Sequence, residues 1–164
     1  MLSRSPPLLI YPRLTLTDPD SPDFQGGTVS IVTGASRKGD LLMIEPGVES
    51  GLEVTLLGDQ VQVAAVSVAT LIGTYPSPTL TLQMNGEATP TRMEAVLRRM
   101  AFVHSGDNPT TTERTISLTF KDGDGGRTTA TPRRVAVEVS NDAPVLSGFG
   151  AAVQTKAQIG RAHV

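Results

Sequence analysis

Three short clusters of oxygen-bearing side chains stand out along the chain. Asp18, Asp20 and Asp23 lie in Asp18-Pro-Asp-Ser-Pro-Asp-Phe-Gln-Gly-Gly27, and Asp122 and Asp124 lie in Lys121-Asp-Gly-Asp-Gly-Gly126. Asn141 and Asp142 precede Ala143-Pro144. Carboxylate and amide oxygens of this kind are the ligands of a hard cation such as Ca²⁺. Crowded carboxylates repel one another unless a cation neutralises them. The same residues also form turns, because Asp and Asn side chains accept hydrogen bonds from nearby backbone amides. An EF-hand is excluded by spacing. With Asp122 as the first ligand, Arg127 stands where that loop needs Gly, and Arg133 stands where it needs the bidentate Glu. Any cation site must therefore be assembled from separate loops.

The elements that would position these loops read as β-strands. Leu14 and Leu16 alternate with threonines, as in a half-buried strand. Thr28–Val32 continues the pattern with Val29 and Ile31 on one face, and Leu41–Ile44 is a short apolar run. Leu52–Leu56 and Val61–Val63 flank a Gly58-Asp59 hairpin turn. Ala64–Ile72 tilts to strand through its β-branched residues, and Leu80–Met84 alternates again. Arg114–Phe120 and Arg133–Val139 are the clearest strands, with Asp122–Gly126 predicted as the hairpin between them. One segment departs from this period. Thr91 and Glu94 have capping-box spacing, and Met93, Val96, Leu97 and Met100 form one apolar stripe, which predicts a short helix over Arg92–Arg99. Many short strands with one helix describe an all-β, antiparallel β-sandwich.

Both ends of this pattern resemble a known family. The opening Leu14–Gly27 and the closing Thr119–Val145 are similar to the start and end of a cadherin-like tandem repeat of large bacterial surface and adhesin proteins. The resemblance implies an immunoglobulin/cadherin-like β-sandwich over residues 8–143, preceded by a fragment end at 1–7 and followed at 144–158 by the start of another repeat. Residues 159–164, Ile-Gly-Arg-Ala-His-Val, resemble a translated sequencing adapter and are left out of the functional reading. In an immunoglobulin-like topology Asp18, Asp20 and Asp23 would share one pole with Asn141 and Asp142. Asp122 and Asp124 would occupy the opposite pole. The resemblance implies calcium at repeat junctions, adjacent repeats as partners, and adhesion to other cell-surface proteins or glycans at an extracellular or cell-surface location. The chain has only Asn141-Asp142-Ala143-Pro144 where animal cadherins carry a fuller acidic linker.

Other chemistries find little support in the residues. The net charge of −2 gives no footprint for nucleic acid. The Arg98-Arg99 and Arg133-Arg134 pairs lack interleaved aromatics for base stacking and read as solvated faces or strand ends. His104-Ser105 beside Asp107 has the residue types of a catalytic triad, but sequence neighbours rarely form one, so a solvated loop is expected. No enzyme motif emerges. No run is long enough for a membrane-spanning helix, and the absence of Cys rules out disulfides. The alternative reading is an accessory β-sandwich module of a secreted enzyme, one that binds carbohydrate. Aromatics make up only 4% of the chain, with Tyr11 and Tyr75 the tyrosines, which is little from which to build a sugar-stacking platform.

Overall fold

A computed structural model describes residues 6–106 and 111–137. The strands in chain order are β1 (Leu8–Leu9), β2 (Thr28–Gly34), β3 (Asp40–Ile44), β4 (Gly47–Glu49), β5 (Leu52–Leu57), β6 (Gln60–Val63), β7 (Val66–Ile72) and β8 (Thr79–Met84). The helix α1 (Pro90–Arg98) follows, and then β9 (Met100–His104), β10 (Arg114–Lys121), β11 (Arg127–Thr129) and β12 (Arg133–Val135). Alternation sets the faces. Val29, Ile31 and Thr33 of β2 and Ile116, Leu118 and Phe120 of β10 point inward, while Ser30, Val32, Ser117 and Thr119 between them take the other face.

All pairings are antiparallel. A large sheet runs β4-β5-β6-β7-β8-β2-β10, and β11 and β12 pair in turn along the far edge of β10. A small sheet runs β1-β9-β3. Its Leu42, Ile44, Met100 and Phe102 share one core with Val29, Ile31, Leu80, Ile116 and Phe120 of the large sheet. The result is the expected antiparallel β-sandwich with one short helix. The helix packs over β4–β6, presenting the buried Met93, Ala95, Val96 and Leu97.

Local chemistry fixes several junctions. Ala64 and Ala65 both take left-handed conformations (φ 50° and 67°) in the two-residue turn between β6 and β7. That is the geometry whose twist suits a tight hairpin. The helix begins earlier than its sequence suggests. Thr89, not Thr91, is the N-cap and accepts from the Arg92 amide, and Pro90 occupies the first helical position. A Pro there lacks only an N–H that would be unpaired anyway. Glu94 accordingly does not close a capping box. Its Oε2 accepts from the Leu16 amide at 2.9 Å, and its Oε1 pairs with Arg98.

This explains a second difference. Leu14–Leu16 joins no ladder: Leu14 O accepts from Arg98 Nε while Leu16 N donates to Glu94, so helix side chains take the place of a partner strand. The arginine pairs are also more engaged than solvated ends. Arg99 donates to the Glu45 and Pro46 carbonyls and Arg133 to the Ile10 carbonyl, while Arg134 stays exposed. Finally, Asp122–Gly126 joins β10 to β11 rather than directly to Arg133. The strand is interrupted before Arg133, where Pro132 offers no amide to a ladder.

Candidate functional site

The acidic loop and the acidic hairpin lie side by side at one end of the large sheet. Antiparallel pairing of β2 with β10 sets Thr28 opposite Lys121, so the loop entering β2 and the turn leaving β10 must meet. Phe24 anchors the loop: it is fully buried, and its ring meets Phe120 edge-on at 4.8 Å. Backbones then approach closely. A Cβ on Gly123 would stand 2.3 Å from the Gln25 carbonyl oxygen, and one on Gly27 would stand 2.2 Å from that of Lys121. Only glycine fits either position.

This corrects the two-pole arrangement expected from an immunoglobulin-like topology. The stretch after Asp23 and the Asp122–Asp124 turn occupy the same end, because the β2–β10 register leaves no other choice. The last described strand, β12, runs to the other end of β10, where Val135 pairs with Arg114.

Within these loops the aspartates close turns. Asp18 Oδ1 accepts from the Asp20 amide and Asp23 Oδ1 from the Gln25 amide, each at 3.0 Å. Asp122 Oδ1 accepts from the amides of Asp124 and Gly126, both at 2.8 Å. In these bonds one oxygen of each carboxylate is engaged. Among the described residues no three His, Asp or Glu side chains gather as a metal site. The five aspartates of these two loops therefore do not form a complete Ca²⁺ cage by themselves, since such an ion takes six to eight oxygens. Asn141 and Asp142 lie outside the described residues.

A shallow cavity of about 370 Å³ opens beside the hairpin, lined by Gly26, Thr28, Lys121, Gly123, Gly125, Gly126 and Arg127. Among the described residues no aromatic side chain is exposed: Tyr11, Phe24, Phe102 and Phe120 are buried and Tyr75 half-buried.

A second constellation escaped the sequence reading. Arg114, at the start of β10, is fully buried and forks onto Asp40 of β3, with Nε 2.8 Å from Oδ2 and Nη2 3.0 Å from Oδ1. His104 of β9 sets Nδ1 2.9 Å from Asp40 Oδ1, and the Arg37 amide donates to Oδ2 at 2.7 Å. Arg114 also reaches the Thr112 carbonyl. Burial alone would push the Asp40 carboxyl upward. The Arg114 guanidinium, the Arg37 amide and His104 outweigh it and hold the group below its ordinary range. His104 is thus a buried strand residue, not part of a solvated loop, and Ser105 turns its hydroxyl to the Gly39 carbonyl. This network ties the small sheet to the large one. The sequence did carry a signal: Arg114 shares the inward phase of Ile116, Leu118 and Phe120, and Asp40 shares that of Leu42 and Ile44.

The chain is similar to halomucin of Haloquadratum walsbyi, with 30% identity over 113 residues. That match covers 69% of this chain but 1% of halomucin, which is therefore a very large protein. No protein-family profile matches the chain. No solved structure matches it either. Among the described residues no helix is long and apolar enough to cross a membrane.

Proposed function

We propose that this chain is a structural and adhesive repeat of a long secreted or cell-surface protein, with calcium held where repeats meet. One observation carries the reading: a match over most of this chain occupies 1% of a very large relative, halomucin. A domain of this size is then one small unit of a long chain. The acidic pole supports the junctional part. Asp23, Asp122 and Asp124 belong to the end with the Thr28–Lys121 register, while β12 leads away towards the other end. In a tandem array, Asn141 and Asp142 of one repeat would approach the acidic pole of the next. Ligands from two repeats would complete what one repeat lacks, and the ion would stiffen the joint. Asp18 and Asp20 belong to the same loop and would add to the set.

The chain is read as non-catalytic. The accessory-module alternative gains nothing from the aromatic side chains, none of which is exposed among the described residues. Small-angle scattering of a protein carrying two consecutive repeats tests the stiffening. Extended, narrowly distributed particles in millimolar Ca²⁺ and a broader, more compact ensemble in chelator are expected. Identical profiles would contradict it.

A further inference from the structure

We infer that the outer face of the large sheet, beside the glycine-lined cavity, binds an acidic polysaccharide through Lys121 and Arg127. This inference deepens the adhesive part of the reading above by naming the chemistry of its partner, and it does not depend on calcium. Lys121 and Arg127 are direct cross-strand partners, so both side chains leave the same face of the sheet. Like charges opposite one another are unfavourable. Neither makes an ion pair with any of the described residues. The nearest acid in sequence, Asp122, turns its Oδ1 into its own loop, bonded to the Asp124 and Gly126 amides. Asp122 and Asp124 offset the two positive charges at a distance, so the attraction acts at contact and not as a long-range field. An anion seated between the two cations would relieve their repulsion and receive charge-assisted hydrogen bonds. The cavity there has room for such a group, with Thr28 on its wall.

The surface beyond the cavity selects what carries the anion. One row across the sheet reads Thr129, Thr119, Ser30 and Thr81, each directly opposite the next, on the face turned away from the core. Neighbouring strands are about 4.8 Å apart, so the row is a ladder of hydroxyls at that spacing. It lies two residues along β10 from Lys121 and ends at Ile72. A ladder of donors and acceptors beside a cation pair is complementary to a chain of sugar hydroxyls bearing carboxylate or sulfate. It offers no aromatic platform for a neutral glycan.

The test is binding of the full chain, in chelator, to immobilised polygalacturonate, dextran sulfate and neutral dextran. Saturable, salt-sensitive binding to at least one polyanion and none to dextran is expected, with the two polyanions distinguishing carboxylate from sulfate. A Lys121→Gln/Arg127→Gln variant should bind about tenfold more weakly, equivalent to roughly 1.4 kcal/mol. An Arg13→Gln/Lys38→Gln variant loses the same charge elsewhere and should bind as the parent does. Thr119→Val keeps both cations and should weaken binding severalfold. No binding to either polyanion, or equal losses in the two double variants, would overturn the inference; unchanged binding by Thr119→Val would remove the hydroxyl ladder from it. Because chelator is present throughout, failure of the calcium reading leaves this result unaffected.

Discussion

Arg114 and Asp40 join the two sheets through a bidentate ion pair, 2.8 and 3.0 Å long, from which solvent is excluded on both sides. Removing one partner leaves the other charge buried and uncompensated, which typically costs 3–5 kcal/mol. Asp40→Asn should therefore destabilise the domain by about that much in urea unfolding. An Asp40→Asn/Arg114→Met variant should lose less than the two single losses combined, because no charge is stranded. Strict additivity would show that the pair is not coupled.

The same pair gives the domain an acid limb. The folded-state pKa of Asp40 lies below its unfolded value, so the pair's contribution is fully present above the ordinary carboxylate range. It is lost as pH falls through the lowered folded value. Melting temperature should drop on acidification below about pH 5, and Asp40→Asn should flatten that dependence. An unchanged slope in the variant would assign the acid limb to other carboxylates.

Gly123 and Gly125 separate close packing from backbone strain. Both have positive φ (93° and 103°), but a Cβ at 123 strikes the Gln25 carbonyl whereas one at 125 meets nothing within 4 Å. Gly123→Ala should be less stable than Gly125→Ala by about 1–3 kcal/mol, the usual cost of overpacking. Equal stabilities would show that the acidic loop and hairpin are not held together.

The helix start is tested as simply. Thr89→Ala should cost about 1 kcal/mol, the worth of an N-cap, while Thr91→Ala should cost little. The reverse order would restore the cap to Thr91.

Most strands were legible because apolar alternation is local and the domain obeys it, as in β2, β5 and β10. Leu14–Leu16 misled because alternation reports which side is buried, not what satisfies the backbone, and here Glu94 and Arg98 do so. The helix cap shifted because Thr89-Pro90 and Thr91 compete, and Pro is favoured at the first helical position. Which loops share an end depends on the strand order β2-β10, a long-range property that no local pattern reveals. Arg114 and Asp40 are 74 residues apart, so their pairing was equally out of reach, although each broke the apolar phase of its strand.

The repeat-junction reading is tested most directly by thermal melting of a protein carrying two consecutive repeats, in Ca²⁺ and in chelator. A ligand bound only to the folded state adds about 2.7 kcal/mol at a hundredfold excess over its dissociation constant. Extracellular sites of this type bind at roughly 10⁻⁴ to 10⁻³ M, so millimolar Ca²⁺ should raise the melting temperature modestly in one repeat and more in two. Asp18→Asn/Asp20→Asn should largely abolish the gain, since charge is lost while turn chemistry is kept. Superimposable curves with and without Ca²⁺ would contradict the reading and leave these aspartates as turn formers in a metal-free spacer.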